Sequence, residues 1–353
     1  MARNEEADRE GTRRETTGRE GSDRASSRKV SKRRGAPLPI QLLQYAGFRF
    51  LERAVRLLPV DWLYAIGGAL GSLAYRLDGR HRRVAMRNLE IAYGDELDEA
   101  SRRRIAKGAF RNMVWIALDV LVIPRLLRRD NLERFVEVQA MTEADRVRRE
   151  HGKVVYVTAH YGSWEILGAG MGVVGHSFHA VARPMGNRFI NDYLIRSRES
   201  LGQNIVSKYG VIGELIRRLR AGDSLGFVAD QDARRHGVFV DFFGVPCSTI
   251  PSPALLAYRF GVPMVVGHAR RVGGRFRFRV DVDAVVLPDL DRPRDEEVLR
   301  MTRLMSDAFE KCIREEPDQY LWLHRKFKTR PEGEPPAYGP EPLAPRSSKG
   351  VSR

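Results

Sequence analysis

From residue 151 to 330 the sequence alternates short, β-branched, apolar runs with segments that have helical spacing of apolar residues. KVVYVTA at 153–159 and SLGFVAD at 224–230 are apolar runs of the length expected for buried strands. VIGELIRRLRAG at 211–222 is amphipathic and ends in a glycine stop. Strand–helix alternation of this kind predicts an α/β fold, with a mostly parallel sheet flanked by helices.

A helical, membrane-associating region is predicted at residues 37–150. It begins with PLPIQLLQYAGFRFLERAVRLLP, an amphipathic helix, followed by VDWLYAIGGALGSLAYRL at 60–77. A bilayer span needs roughly 20 apolar residues, so the second segment favours a helix lying in or dipping into one leaflet. A spanning helix and a core helix without lipid contact are the alternatives. The basic cluster RHRRVAMR at 80–87 favours contact with anionic membrane lipid.

Both ends have the composition of disordered tails. Residues 1–36 are rich in Arg, Glu, Ser and Gly and lack the apolar segment of a signal peptide. Their basic cluster RKVSKRR either contacts anionic lipid or is merely solvated. Residues 331–353 are proline-rich and polar, which also predicts disorder.

The charge of the chain restricts its partners. A net charge of +16 and a pI near 10.2 favour polyanions: nucleic acid, anionic lipid headgroups or an acidic carrier protein. No recognisable nucleic-acid-binding motif is present, so no nucleic-acid partner is expected. The two cysteines, Cys247 and Cys312, exclude a disulfide framework and a cysteine-rich zinc site.

His160 and Glu165 are the candidate catalytic pair. His160 follows the strand candidate at 153–159, and catalytic groups gather at the carboxyl ends of strands in open α/β sheets. The H-x4-E spacing lets Glu165 fold back toward the imidazole, where a carboxylate fixes the tautomer and leaves the other nitrogen to take a proton. The alternative is that His160 caps the next helix and Glu165 is a surface charge.

Several blocks, in order from about residue 38 to 333, resemble one enzyme family. AHYGSWEILG is similar to the H-x4-D/E block of glycerolipid-type acyltransferases, and more specifically to that of the lipid A biosynthesis acyltransferases, the lauroyl and myristoyl transferases of Gram-negative bacteria. The other matching blocks are RRVAMRNLEIAYGDELDEASRRRIAKGAFRNM, ARPMGNRFINDYLIRSRESLG, SLGFVADQDA, VDFFGVPCSTIPSPALLAYRFGVPMV and QYLWLHRKFKTRPEG.

The resemblance implies an acyltransferase with a glycerolipid acyltransferase-like fold at the cytoplasmic face of the inner membrane. Its donor would be an acyl thioester on acyl carrier protein, or acyl-CoA, and its acceptor a hydroxyl of a lipid A precursor. Carried over, His160 is the general base and Glu165 its partner. Neither a covalent enzyme intermediate, a metal nor another cofactor is expected, and the enzyme is expected to be a monomer.

The same blocks supply candidate substrate-binding residues. Arg183 holds an acceptor phosphate or the oxyanion, with a structural ion pair as the alternative. Asn187 and Arg188 contact the same headgroup or only cap the next helix. Asp230 and Gln231 position the acceptor or order Arg183, unless Asp230 is a turn residue.

The last block adds His324 and Arg325. These residues bind phosphate or the acidic carrier protein, or they belong to a structural segment that Trp322 and Phe327 anchor.

Two other functions stay open at this point. The same chemistry on another phospholipid, glycolipid or aminolipid is the first. A non-catalytic basic protein that binds membranes or nucleic acid is the second, and the His160–Glu165 pair and the Asp230 block argue against it.

Overall fold

The computed structural model describes residues 36–137, 139–207 and 211–338, with the backbone alone for 139–142. The predicted tails at 1–35 and 339–353 therefore lie outside the described residues. The helices are α1 (Leu38–Leu57), α2 (Val60–Leu77), α3 (Gly79–Tyr93), α4 (Glu99–Leu126), α5 (Leu132–Phe135), α6 (Gln139–His151), α7 (Trp164–Val173), α8 (Arg188–Glu199), α9 (Val211–Arg220), α10 (Ser252–Phe260) and α11 (Arg294–Glu315).

A seven-stranded sheet forms the centre of the fold, and the predicted α/β architecture is confirmed. Its strand order is β1-β9-β8-β2-β5-β3-β4, and all neighbours are parallel except β8 and β9. Strands β6 and β7 form a separate antiparallel hairpin. The strands are β1 (Val136–Glu137), β2 (Val155–Thr158), β3 (Phe178–Ala182), β4 (Asn204–Ser207), β5 (Ser224–Val228), β6 (Val238–Phe242), β7 (Val245–Thr249), β8 (Met264–Arg271) and β9 (Phe278–Val286).

The centre of this sheet explains the apolar run that ends at His160. Every residue of β2 is buried, because β2 lies between β8 and β5 with helices on both faces. In the parallel register Thr158 pairs with Val228, so the residues just after β2 and β5 leave the sheet at the same edge.

The N-terminal helices pack on one another through small residues. A Cβ on Gly71 would lie 2.5 Å from the Cα of Arg111, and one on Gly67 would lie 2.7 Å from Leu118 Cδ1. The glycines that lower the hydrophobicity of α2 therefore allow α2 to lie directly against α4.

Both α1 and α2 expose large apolar side chains. We call the α2 set the apolar stripe, since its members recur at helical spacing on one side of the helix. It consists of Trp62, Ile66, Leu70, Leu73 and Leu77. On α1 the exposed residues are Leu38, Ile40, Leu42, Leu43, Phe50, Leu51 and Leu57. Across the described residues, none of the helices has both the length and the apolar character that crossing a membrane requires.

The chain stays packed beyond the predicted domain end. Ala337 is buried, and the hydroxyl of Tyr338 donates to Asn88 Oδ1 at 2.5 Å and accepts from the backbone N–H of Phe327 at 3.2 Å. The prediction of disorder from residue 331 is thus wrong for 331–338. Composition misled because two residues in this polar stretch supply contacts that its prolines and charges do not suggest.

Candidate functional site

The register of β2 and β5 brings His160 and Asp230 together. Each lies two residues beyond the paired Thr158 and Val228. Nδ1 of His160 is 2.6 Å from Oδ1 of Asp230, and the Asp230 side chain is 2% exposed. A buried carboxylate on one imidazole nitrogen is an arrangement that orients a general base.

The environment of Asp230 keeps it ionised. Burial opposes ionisation, but the charge and hydrogen bond of His160, together with the charge of Lys326, lower the pKa of Asp230 below its ordinary value. The hydroxyl of Tyr320 donates a hydrogen bond to the same carboxylate, and its own pKa is raised by burial and by the Asp230 charge. An ionised Asp230 accepts a hydrogen bond from Nδ1–H, so the neutral imidazole has Nε2 as its basic nitrogen.

The backbone around His160 is fixed by the segment that follows α11. The N–H of Leu321 donates to the carbonyl of His160 at 3.0 Å, and Asn112 Nδ2 donates to the carbonyl of Gly162 at 3.1 Å. Gly162 has φ +56°, and a Cβ there would lie 1.9 Å from the carbonyl oxygen of Ala269. Only glycine fits this turn, which delivers His160 from the strand to the helix.

Glu165 does not bond to His160. Its carboxylate instead accepts two hydrogen bonds from Arg198 on α8, from Nη2 at 2.6 Å and from Nε at 3.1 Å. The predicted hydrogen bond between Glu165 and the imidazole is therefore wrong. A guanidinium that binds both carboxylate oxygens is the stronger partner. The rings of His160 and Trp164 instead pack in a T-shaped arrangement, with their centres 4.7 Å apart.

A cavity of about 960 Å³ opens beside this pair. His160, Glu165, Arg183, Arg198 and Gln231 are polar residues of its wall. The rest is mostly apolar and includes Leu167, Met171, Phe178, Leu194, Ile195 and Phe227. A pocket with apolar walls and a few polar groups at one place suits a ligand with a long apolar part and one reacting group.

Arg183 and the two candidates that follow it, Asn187 and Arg188, have different surroundings. Arg183 is exposed in the cavity wall, and in the described part of the chain its side chain makes no hydrogen bond or ion pair. Asn187 caps α8, accepting from Phe189 and Ile190, and its Nδ2 donates to the carbonyl of Gln41 at 2.8 Å. The helix-cap alternative is thus confirmed for Asn187.

Arg188 is exposed, and its guanidinium lies 4.7 Å from the centre of the Phe189 ring. It is not among the described residues that line the cavity. Headgroup contact through Arg188 stays a prediction.

His324 and Arg325, the two predicted residues of the last block, have different surroundings. His324 Nε2 accepts from the N–H of Asp232 at 3.3 Å, and burial lowers the pKa of His324. Arg325 is exposed and lies over the ring of Tyr338. Sequence reasoning missed Tyr320 and the buried Lys326, which lie in the same block as the residues that it considered.

A second buried cluster holds the start of α7. Asp119 of α4 accepts from the Tyr64 hydroxyl at 2.5 Å and from Ser163 Oγ at 2.7 Å, and it pairs with Arg271. Ser163 also caps α7 through the N–H of Ile166. The cluster links α2 to the turn that carries His160 and Glu165, and no local sequence pattern pointed to it.

His268, Asp283 and Cys312 are a group of potential metal ligands, with ligand atoms within 4.8 Å of one another. Nδ1 of His268 is already 2.7 Å from Asp283 Oδ2. Burial raises the pKa of both Asp283 and Cys312, which favours protonated forms that bind metals poorly. Hydrogen bonding therefore explains the group without a metal.

Comparison with known proteins gives the family. Residues 33–329 match the family model described as bacterial lipid A biosynthesis acyltransferase. The chain is 28% identical over 302 residues to the lipid A biosynthesis lauroyltransferase of Escherichia coli, covering 85% of this chain and 96% of that protein. It is 27% identical over 284 residues to the palmitoleoyltransferase of the same organism, covering 80% and 90%.

A shorter match is to an acyltransferase whose name gives a different lipid. The chain is 30% identical over 179 residues to the phosphatidylinositol mannoside acyltransferase of Mycobacterium tuberculosis, covering 49% of this chain and 54% of that protein. The family model spans most of the described fold, including the strand ends that carry His160 and Asp230. The chain is thus an acyltransferase and belongs to the bacterial lipid A biosynthesis acyltransferase family.

Proposed function

We propose that this enzyme transfers a fatty acyl chain from an acyl thioester to a hydroxyl of a lipid A precursor, with His160 as general base. The observation that carries the proposal is the His160–Asp230 pair in the wall of a large apolar cavity. The proposed donor is an acyl thioester of acyl carrier protein. The names of the enzyme's relatives supply the class of acceptor.

The reaction needs one proton carrier. Nε2 of His160 takes the proton of the acceptor hydroxyl while its oxygen attacks the thioester carbonyl carbon. The tetrahedral intermediate collapses, the C–S bond breaks, and the leaving thiolate takes the proton back from the imidazolium. Asp230 stabilises the imidazolium formed between these two steps. The two substrates account for every bond formed and broken, and His160 carries the proton between them. The proposal therefore includes no covalent enzyme intermediate, metal or other cofactor.

Glu165 acts in this proposal as a positioning residue. By binding both Nε and Nη2 of Arg198, it fixes α7 to α8 across the cavity wall. The apolar wall between these helices holds the acyl chain, and holding the chain fixes the carbonyl near His160.

Arg183 is the proposed contact for the acceptor's phosphate. It is exposed in the wall of the cavity that His160 also lines. Guanidinium groups bind phosphate through two parallel hydrogen bonds, and an arginine already engaged by a carboxylate, such as Arg198, is less suited to this. Gln231 is the proposed polar contact beyond the end of β5, the strand next to β3, which precedes Arg183.

The exposed apolar side chains of α1 and α2 support a location at the inner membrane, facing the cytoplasm. Large apolar side chains on consecutive helices would be costly in water and suit burial at the headgroup boundary. A lipid acceptor could then enter the cavity without leaving the membrane surface.

A glycolipid acceptor is the second candidate. It is favoured by the match to the phosphatidylinositol mannoside acyltransferase, which is 30% identical over its shorter aligned region. The proposed base, donor and cavity are the same in both candidates, so only the acceptor differs.

The test is acyl transfer from acyl carrier protein to each of the two purified acceptors, with mass spectrometry of the products. We expect a monoacylated product of the lipid A precursor, and a loss of roughly 100- to 10,000-fold in the His160→Ala variant. The carbonyl of His160, not its ring, bonds to Leu321, so the variant is expected to fold. Equal rates in parent and variant would exclude the proposed base, and product from the mannosylated lipid alone would favour the second candidate.

A further inference from the structure

A strongly basic groove lies between α3 and α4, away from the catalytic cavity. It has a volume of about 1000 Å³, and seven basic and two acidic side chains line it. We call it the α3–α4 groove. Both acidic residues are already paired, Glu90 with Arg87 and Glu99 with Arg103. The remaining positive charge therefore has no counterpart among the groove's own carboxylates.

Three of the cations are free to bind a ligand. Arg83, Arg104 and Lys107 are exposed, and within the described residues their side chains make no hydrogen bond or ion pair. Arg102, Arg103 and Arg104 are consecutive and Lys107 follows one turn later, so like charges crowd the first half of α4. Such crowding destabilises a helix, and a bound polyanion relieves it.

The groove and the apolar stripe both reach the C-terminal end of α2, although Tyr75 lies on the opposite side of the helix from the stripe. Tyr75 lines the groove, and Arg82 Nη1 donates to the carbonyls of Tyr75 and Arg76 at 3.1 and 3.0 Å. Arg82 also lies over the Tyr75 ring. Leu77, at the end of the stripe, is 76% exposed. The cationic groove and the exposed apolar residues thus share the C-terminal end of α2.

The position of both features at one end of α2 decides between two anionic partners. An acidic protein would match the charge of the groove but gives no reason for an exposed apolar stripe beside it. A membrane surface accounts for both, because apolar side chains enter the acyl boundary while adjacent basic residues meet the phosphates.

We propose that the α3–α4 groove binds the phosphate headgroups of anionic lipids and so fixes the orientation of the enzyme on the membrane. It rests on the proposed function only for the membrane location, since the catalytic residues take no part in it. Arg83, Arg104 and Lys107 are the residues that contact the phosphates.

Co-sedimentation with lipid vesicles tests this, using the full chain and a triple variant, Arg83→Gln, Arg104→Gln and Lys107→Gln. The vesicles contain either phosphatidylcholine alone or equal parts of phosphatidylcholine and phosphatidylglycerol. A matched control, Arg259→Gln, Arg303→Gln and Lys311→Gln, removes the same charge from exposed positions on α10 and α11.

Each basic residue near an anionic surface contributes roughly fivefold in affinity, so the triple variant should bind the anionic vesicles about 100-fold less tightly. The control should bind like the parent, and binding to phosphatidylcholine alone should be the same for all three. Equal loss in the control variant, or no loss in the triple variant, overturns the proposal. So does a triple variant that keeps vesicle binding but no longer binds an acidic acyl carrier protein.

Acyl transfer in detergent micelles separates this proposal from the proposed function. The triple variant should match the parent there, because micelles present the acceptor without an anionic surface. If the parent itself shows no transfer while the vesicle result holds, the proposed function fails and the groove remains a lipid site.

Discussion

Asp230 and Glu165 are two carboxylates of one site, held in opposite ways. Asp230 is buried against an imidazole and a phenol, groups that can give up or share a proton. Glu165 is bound by the guanidinium of Arg198, which stays protonated at any working pH. Asp230 can stabilise His160 as the imidazole gains and loses a proton, whereas Glu165 can only hold α7 and α8 together through Arg198. We therefore propose that the chemistry belongs to Asp230, the carboxylate more distant from His160 in the sequence.

The largest effect is expected from breaking the Asp230 contact. In Asp230→Asn the amide keeps the shape of the side chain but removes the charge that stabilises the imidazolium. We expect kcat for acyl transfer to fall roughly 100- to 10,000-fold with little change in KM, because the loss concerns the transition state. Steady-state rates with an acyl carrier thioester measure this, and circular dichroism checks the fold. A fall smaller than that of Glu165→Gln would reverse the assignment of the two carboxylates.

Glu165→Gln should cost less. The amide retains one contact to Arg198 but loses the charge-assisted pair, and we expect acyl transfer to fall about 10- to 100-fold through misplacement of the acyl chain. A double-mutant cycle with Arg198→Gln should show a coupling of about 0.5–3 kcal/mol, since the two side chains are in contact. The same cycle between Glu165→Gln and His160→Gln should be close to additive. Strong coupling in this second cycle, and none in the first, would restore the local histidine–glutamate pair.

The sequence predicted the sheet but not the partner of His160. Apolar runs identified β2 and β5 and placed His160 and Asp230 at their ends. Which ends meet depends on strand order, and β2 lies beside β5 only after two intervening strands have been placed farther out. The contact therefore joins residues 70 apart, whereas helical spacing favoured a residue five positions away.

Other parts of the site were hidden for similar reasons. Tyr320 and Lys326 reach Asp230 from a segment without regular secondary structure, so no periodicity places them. The Asp119 cluster joins α2, α4, α7 and β8 through single side chains. Contacts of this kind depend on packing between distant elements, which a one-dimensional pattern does not encode.

A smaller effect is expected from destabilising α8, the helix that carries Arg198, the partner of Glu165. Asn187→Ala removes the side-chain cap of α8 and its hydrogen bond to α1. We expect the free energy of unfolding to fall by about 1–2 kcal/mol. Acyl transfer should fall less than in Glu165→Gln, since the Glu165–Arg198 pair remains. Chemical unfolding and steady-state kinetics measure the two quantities, and Arg188→Gln provides an exposed neighbouring control for the stability measurement. Unchanged stability with a large loss of transfer would instead support a direct substrate contact for Asn187.

The smallest effect is expected on the pH dependence of the free energy of unfolding, through His324, whose pKa the charge of Asp230 also affects. Burial lowers the pKa of His324 in the folded protein. As the pH falls below the ordinary histidine pKa near 6.5, His324 is therefore protonated in the unfolded chain before it is protonated in the folded one. The stability associated with neutral His324 is therefore complete above about pH 6.5 and is lost as the pH falls toward the folded pKa. In His324→Gln the free energy of unfolding should decline less steeply over this window, because glutamine can still accept from Asp232 and does not titrate. Arg325 is an exposed neighbour whose guanidinium does not titrate in this range. Arg325→Gln should therefore show the parent's slope. Identical slopes for His324→Gln and the parent would mean that His324 has the same pKa in the folded and unfolded states. His324 would then contribute nothing to the pH dependence of the free energy of unfolding.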